Sequence, residues 1–295
     1  MKFENISVYN FDNALRGMRN PKNSWHLSDS EFGMAHFEEI DEIADDVADK
    51  WIQAEYPDNE PDNYEDLLEE RHDWLLKNGI ISVDEDYCVF AFIGPKDMNL
   101  AKTLIRGGSE HRKFMRQIFV SVDITAPLYW WKEFDTYKVG TTANSTSTMH
   151  KMASKPITLE CFDIDDYVDL ADVDNDAMRH NVNYDAHDYS YSFDDAASMP
   201  LEFIEFLESL RLKYLATKDK RYWKELIRWL PESWLQTRTV TMDYENFLAM
   251  CSKGQRRFHK LNEWSGQDDA TLPNFISMSR ELPYAQDLIF LDELS

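Results

Sequence analysis

The chain has 295 residues, of which 43% are hydrophobic and 14% aromatic, and its formal net charge at pH 7 is −24. A chain of this length can bury a sizeable core, as one large domain or as two smaller ones. The charge argues against nonspecific binding to nucleic acid or to an anionic membrane, and it suits a basic protein partner, a DNA mimic or plain solubility.

Two further absences in the sequence narrow the class of protein. No apolar run approaches the ~18 residues of a membrane span, and the start, Met1-Lys2-Phe3-Glu4, lacks the apolar region of a secretory signal. Cys88, Cys161 and Cys251 lie far apart and are odd in number, which predicts neither a disulfide framework nor a metal site. We therefore expect a cytoplasmic protein.

A cluster of cations follows the first predicted strand, residues 6–9. The segment A-L-R-G-M-R-N-P-K-N-S-W, residues 14–25, contains Arg16, Arg19 and Lys22. Because a guanidinium offers a planar fork of donors, one interpretation is a phosphate clamp. The other is a solvated turn around Asn20-Pro21.

An acidic helical segment is predicted over about 29–80. Its first helix carries apolar residues at helical spacing between acidic ones, namely Phe37, Ile40, Ile43, Val47 and Trp51. A second helix ends near Asn78-Gly79. A segment of this kind often contacts a partner or covers a site.

Residues 88–93 read as a buried strand, and Asp97 is predicted to cap the following helix, which ends at Gly107-Gly108. Ser109-Glu110-His111 comes next. His111 could shuttle a proton, but the sequence fixes no base partner for it, and a lone histidine is usually not catalytic.

The central stretch is Ile118 to Lys151. Alternation over 118–125 predicts a strand, Pro127 ends it, and Leu128 to Val139 has the apolar spacing of a helix. The hydroxyl-rich run Thr141 to Thr148 predicts a loop of donors and acceptors that could bind an anion or a sugar.

Residues 156–198 are acidic, and we predict a solvated loop there. Asp172, Asp174 and Asp176 resemble the opening of a calcium loop, but the later ligand positions do not match. His180 and His187 have no accompanying ligand pattern, so no metal is predicted. Helices follow from Pro200 to Leu230, then a strand over 237–242 and a long helix from Tyr244 to about Trp264, capped by Asp243.

The order of these elements resembles the flavin-dependent thymidylate synthases. In that family a strand, Ala-Pro and an aromatic helix lead to Arg-His-Arg, then to Asn-Glu-x-Ser-x-Arg-Tyr. The resemblance puts the first trio on Thr136, Tyr137 and Lys138, and the second motif on Ala143, Asn144, Thr146, Thr148 and Met149. A later Leu-Pro break, strand and helix also match, with Asp243 and Glu245 where the family has Asn-x-Arg. The matched segments cover about a third of the chain.

The resemblance implies a set of binding residues and an α+β fold with a central, mostly antiparallel sheet and long helices. Cofactor-binding positions are Ser24, Glu110, His111, Thr136, Tyr137, Lys138, Thr141 and Asn246. Substrate-binding positions are Glu133, Asn144, Thr146, Thr148 and Arg256, with Lys253 and Arg257 near the last. The catalytic residues stay unassigned, and the family uses no cysteine nucleophile.

Taken with the resemblance, residues 1–295 are expected to form a single domain with acidic insertions at about 29–80 and 156–198. The implied activity is methylation of dUMP to dTMP with FAD and a reduced nicotinamide, in a homotetramer. The alternatives are a catalytically inactive relative that binds a nucleotide or a basic protein, and a structural or DNA-mimic role. Nucleic acid is not expected as a partner.

Overall fold

The computed structural model describes residues 1–84, 86–164, 199–252 and 255–294. They fall into two compact units. The first unit comprises Met1, 125–136 and 145–238, and the second comprises 2–124, 137–144 and 239–295. The expectation of a single domain over 1–295 stays a prediction.

Seven strands form two sheets among the described residues. They are β1 (Lys2–Tyr9), β2 (Glu31–His36), β3 (Ile80–Asp84), β4 (Tyr87–Phe92), β5 (Phe119–Pro127), β6 (Thr142–Ser145) and β7 (Leu235–Asp243). The strand orders are β1-β5-β7-β6 and β2-β4-β3. In the smaller sheet β4 runs antiparallel to both neighbours. On β5 the alternation expected of a strand is seen, because Val120, Val122 and Ile124 are buried while Phe119 is exposed.

The helices are α1 (Phe11–Arg19), α2 (Ile40–Glu55), α3 (Tyr64–Asn78), α4 (Pro95–Arg106), α5 (Leu128–Phe134), α6 (Thr148–Lys151), α7 (Met199–Thr217), α8 (Lys220–Arg228), α9 (Tyr244–Cys251), α10 (Asn262–Ser265), α11 (Phe275–Arg280) and α12 (Ala285–Leu288). The predicted α+β class is confirmed. None of the described helices is both long enough and apolar enough to cross a bilayer.

The acidic segment at 29–80 contains the two predicted helices, α2 and α3. The apolar face of α2 packs with Leu75 of α3 and with Phe90 and Phe92 of β4, which leaves its carboxylates in solvent. The helical prediction missed β2, because its short sequence E-F-G-M-A-H has weak strand propensity and gains its order by pairing with β4.

Two predicted helices end earlier than expected. Helix α5 ends at Phe134, where the Thr136 hydroxyl donates to the Glu133 carbonyl over 2.7 Å and Asp135 pairs with Arg238 at 2.7 Å. Helix α9 ends at Cys251, where Arg257 Nε donates to the last carbonyl over 2.9 Å. Both helix ends depend on polar side chains, which a prediction from the spacing of apolar residues does not take into account.

The hydroxyl-rich run is more ordered than a loop. Residues 142–145 form β6, a strand at the edge of the larger sheet with every residue exposed, and Thr148 begins α6. The amide of Thr146 also donates to the carbonyl of Thr237 over 2.9 Å. Backbone pairing with β7 therefore orders a segment whose side chains alone predict a loop.

The first unit has its own core around α7 and α8. Leu207 of α7 and Leu226 of α8 are fully buried, and they pack with the buried side chains of Met152, Ile157 and Phe162. Arg211 of α7 connects this helix to a neighbouring segment. It pairs with Glu208 at 2.6 Å and donates to the Ala153 carbonyl over 3.2 Å. Helix α7 thus holds the segment around Ala153 in place.

In the second unit, a buried carboxylate organises the N-terminal segment. Asp97 is fully buried and accepts from Arg19 Nε at 2.5 Å, from the Ser28 hydroxyl at 2.5 Å and from the Ser30 hydroxyl at 2.6 Å. Asp97 was predicted as the helix cap, but the N-cap position is Gly94, and the Asp29 carboxylate accepts from the amides of Lys96 and Asp97 instead.

Tyr284 lies near residue 295 in sequence and bonds to the end of β4, the central strand of the smaller sheet. Its hydroxyl accepts from the Ile93 amide over 2.9 Å and donates to the Ala91 carbonyl over 3.2 Å, while its own amide donates to the Asn78 carbonyl over 3.0 Å. The side chain is fully buried, and burial raises the pKa of its hydroxyl well above the usual value of 10.0. One residue thus links β4 to the end of α3.

Candidate functional site

The candidate site lies in the second unit, where the segment 137–141 meets the start of α9. Asp243 caps this helix by accepting from the Asn246 amide over 2.9 Å. Gly140 adopts φ +76°, and a Cβ there would lie 2.7 Å from Asp243 Oδ2 and 2.9 Å from Asn246 Nδ2. Only glycine allows this approach without displacing the cap. Asn246 Nδ2 then donates to the Thr141 hydroxyl over 3.3 Å.

The same segment contributes an aromatic and cationic contact. Arg256 Nε donates to the Tyr137 hydroxyl over 3.0 Å, and its guanidinium carbon lies 5.3 Å from the Tyr137 ring centre. It lies 4.7 Å from the ring of the fully buried Trp264. A guanidinium held against aromatic faces keeps its charge while its orientation is fixed. Chemically, the arrangement suits a flat, anionic ligand.

Two further arginines, Arg112 and Arg116, reach the first turn of α9 from the turn before β5. Arg112 Nε lies 3.0 Å from Glu245 Oε1, and Arg116 Nε contacts Glu245 Oε2. Burial raises the pKa of Glu245, but the hydrogen bonds from Arg116 and Arg112 outweigh it, and the net effect is a lowered pKa. Two cations therefore share one carboxylate, and each guanidinium keeps further N–H donors on its terminal nitrogens.

Asp243 brings an acidic side chain to the same site, opposite in charge to these arginines. Its side chain is only 7% exposed. Burial raises the pKa of this carboxyl, and the nearby Glu245 carboxylate raises it further. Together with Glu245, this carboxyl places two acids at the start of α9, which opposes an anionic ligand there.

Four of the sequence-predicted residues are brought into direct contact, in two pairs. Tyr137 contacts Arg256, and Thr141 contacts Asn246, although the partners lie 119 and 105 positions apart in sequence. These contacts form because the segment 137–141 lies beside both α9 and the turn that follows it. The assignment of ligand-binding roles to them stays a prediction.

Other predicted cofactor residues are exposed or bonded elsewhere. Glu110 is exposed and pairs with Lys113 at 2.9 Å, a hydrogen bond that lowers the pKa of its carboxyl. His111 is exposed in the same turn, and Lys138 is also exposed. The Ser24 carbonyl accepts from Arg19 Nη1 over 3.4 Å. Of the three basic residues predicted as a phosphate clamp, Arg19 is therefore held in the buried pair with Asp97.

The remaining predicted substrate residues lie on β6, directly after it, or at the end of α5. Asn144 is exposed on that strand, the Thr146 carbonyl accepts from Gln236 Nε2 over 3.0 Å, and Thr148 begins α6. Glu133 accepts through its carbonyl from Thr136 at the end of α5.

Sequence reasoning missed Arg112 and Arg116, which provide the clearest concentration of cations at this site. Their spacing of four residues, in H-R-K-F-M-R directly before a buried strand, is the signal that was available. Lys253, the calcium-like residues 172–183 and both His180 and His187 lie outside the described residues. Within the described ranges, His, Cys, Asp and Glu side chains form no group suited to a metal ion.

Comparison with known proteins gives a likeness in structure alone. No protein-family model matches the chain, and no curated protein matches it in sequence. A crystal structure of Thymidylate Synthase X from Helicobacter pylori with FAD and dUMP matches with a TM-score of 0.48 and 13% identity, covering 100% of both chains. Another structure of the flavin-dependent enzyme from Helicobacter pylori, also with FAD and dUMP, matches with a TM-score of 0.40 and 13% identity, covering 88% of this chain and 96% of that one. At this level of similarity neither structure assigns a residue role here.

Proposed function

We propose that this chain binds a flavin nucleotide, FAD, and a pyrimidine nucleotide in its second unit, as a divergent protein of the flavin-dependent thymidylate synthase type. The observation that carries the proposal is the meeting of Tyr137 with Arg256 and of Thr141 with Asn246. Tyr137, Thr141 and Asn246 were selected from the sequence for cofactor binding and Arg256 for substrate binding. The partners lie far apart along the chain and yet form these contacts.

The chemistry of the donor set fits such a ligand. A flavin nucleotide combines flat rings with a diphosphate, and Tyr137 with Arg256 offers an aromatic face and a cation. Arg112 and Arg116 offer guanidinium donors for phosphate oxygens beyond those that contact Glu245. Thr141 and Asn246 add neutral polar groups. When bound, the flavin would supply the hydride chemistry, and these residues would bind and orient it.

The full activity within this proposal is the methylation of dUMP to dTMP with a reduced nicotinamide. The second candidate is a relative that binds a nucleotide without catalysing this reaction. It is favoured by the carboxylates Asp243 and Glu245 at the first turn of α9, because acids at that turn oppose a diphosphate. Assembly into a homo-oligomer, which the resemblance suggests, and recognition of a basic protein, which the net charge of −24 suggests, are further parts of the proposal.

The first test is the visible absorption spectrum of the purified protein before and after addition of FAD and desalting. We expect flavin bands that survive desalting. The variant Arg256→Ala should weaken FAD binding roughly tenfold, since it removes the cation that would pair with the anionic ligand, and a hydrogen bond to a charged group is worth about 1.5–3 kcal/mol. Lys132→Ala is the matched control, because Lys132 forms an exposed pair with Glu232 in the first unit.

A variant that strengthens binding makes the test more specific. Glu245→Gln removes the charge that competes for Arg112 and Arg116, so FAD should bind more tightly than to the unmodified chain. Production of dTMP from dUMP, a methylene-folate donor and NADPH would then separate the enzyme from the non-catalytic relative. Failure to retain any flavin in excess FAD, with the protein folded, would overturn the proposal.

A further inference from the structure

A strongly basic segment lies at the junction of α7 and α8 in the first unit. Residues 213–224 read K-Y-L-A-T-K-D-K-R-Y-W-K and contain a single acidic residue, Asp219. Asp219 caps α8 and pairs with Arg221 at 2.6 Å. The lysines of this segment are thus left as a local positive region on a chain whose net charge is −24.

A cavity opens beside this segment, with a volume of about 280 Å³. It is lined by Met149, Ala153, Tyr214, Lys220 and Trp223. Its volume lies just below the range of ligand pockets, which starts at roughly 300 Å³, and so it suits a small ligand. No described carboxylate lines it, so its polar character comes from Lys220 and the edges of two aromatic rings.

The aromatic walls are held by the surrounding structure. Trp223 Nε1 donates to the Met149 carbonyl over 2.8 Å, which fixes the plane of the indole. Tyr214 and Trp223 are both half-buried, and Lys218 Nζ lies 5.9 Å from the Tyr214 ring centre. The indole of Trp223 is therefore a preformed aromatic surface in the cavity wall, on which a flat ring can stack at little conformational cost.

One cation, Lys220, lines the cavity, and further lysines lie close to its lining residues in sequence. Lys220 and Lys224 are four residues apart on α8, which puts them on the same helix face as Trp223. Both are exposed, and neither forms an ion pair with any residue in the described ranges. Lys151 and Lys155, also exposed, flank the Ala153 wall in sequence.

We propose that this cavity is a second binding site, which takes a nucleoside monophosphate with its base against Tyr214 and Trp223 and its phosphate on Lys220. Base stacking on aromatic side chains and pairing of phosphate with lysine are the two interactions that this lining offers. The site uses residues of the first unit alone, so it is independent of the flavin site proposed in the second unit.

Calorimetric titration with thymidine monophosphate, thymidine and inorganic phosphate tests the proposal. It is carried out on the full chain carrying Arg256→Ala, which weakens the site proposed in the second unit, and Lys220→Ala in the same background shows which part of the binding belongs to the cavity. Thymidine monophosphate should bind at least tenfold more tightly than either fragment, and its affinity should fall as salt is raised from 50 to 300 mM. Equal binding of the nucleotide and inorganic phosphate would overturn the proposal.

Two substitutions locate the binding. Lys220→Ala should weaken thymidine monophosphate binding about tenfold, and Trp223→Phe should weaken it several-fold by reducing the stacking area. Lys213→Ala is the matched control, because Lys213 is an exposed lysine of α7 that does not line the cavity. If Lys220→Ala binds as tightly as Lys213→Ala, the cavity is not the site. A short oligothymidylate that binds more tightly than the mononucleotide, and loses this binding in Lys220→Ala, would support the same site. The nucleotide bound there would then be part of a polynucleotide.

Discussion

The buried pair between Arg19 and Asp97 allows a direct test of what orders the N-terminal segment of the second unit. Arg19 is 5% exposed and Asp97 is fully buried, and the carboxylate also accepts from Ser28 and Ser30. Replacing Asp97 by Ala leaves a buried guanidinium without its counter-charge. Breaking a buried pair in this way costs about 3–5 kcal/mol. We expect Asp97→Ala to lower the free energy of unfolding by that amount.

The assay is urea unfolding followed by tryptophan fluorescence and by circular dichroism. Glu31→Ala is the control, because Glu31 forms an exposed pair with Lys50 at 2.8 Å whose loss should cost no more than about 1 kcal/mol. The double variant Arg19→Met/Asp97→Leu should be more stable than Asp97→Ala, since it leaves no unpaired buried charge. If Asp97→Ala unfolds at the same urea concentration as Glu31→Ala, the buried pair does not organise this segment.

Two further predictions concern single buried groups. The folded pKa of Asp243 is raised from 3.8 by burial, so the folded state is favoured while this carboxyl is protonated, and that contribution is lost as pH rises through the folded pKa. Asp243→Asn keeps the helix cap, so it should be more stable than the unmodified chain at pH 7 but not below pH 3.8. Urea unfolding at both pH values measures this. The same difference in the free energy of unfolding between variant and unmodified chain at the two pH values would contradict the prediction. Burial raises the pKa of the Cys251 thiol to about 12, and Cys88 is also buried, so at pH 8 a thiol-specific reagent should react rapidly with Cys161 alone in the native protein and with all 3 cysteines in urea. Rapid native labelling of Cys251, located by mass spectrometry, would show that the α9 end opens readily.

The local elements with strong patterns were predictable from sequence. The alternation on β5, the amphipathic face of α2 and the Asp243 cap each depend on residues close together in the chain, and each is present in the structure. The early ends of α5 and α9 were not predictable in this way. They depend on Arg238 and Arg257, which reach the helix ends from distant sequence positions or from a turn whose course is set by tertiary packing.

In the candidate site, too, some contacts could be predicted from the sequence and others could not. The contacts of Tyr137 with Arg256 and of Thr141 with Asn246 join residues that the resemblance had grouped. The pairing of Arg112 and Arg116 with Glu245 was missed, because it requires knowing that the turn before β5 faces the first turn of α9. Arg19 was interpreted as one of the cations of a phosphate clamp, yet its partner Asp97 lies 78 positions away, a contact that charge clustering along the chain cannot reveal.

The position of Tyr284 has a consequence for how this chain acquires its structure during synthesis. The amide of Ile93 and the carbonyl of Ala91, at the end of β4, are both satisfied by a hydroxyl about 190 residues later in the chain, with separations of 191 and 193 positions. Translation proceeds at roughly 5–20 residues per second, so this gap corresponds to about 10–40 seconds. Throughout that interval the end of β4 lacks its tyrosine partner, and a nascent chain stopped before residue 284 should expose it to exchange, proteolysis or association with other strands.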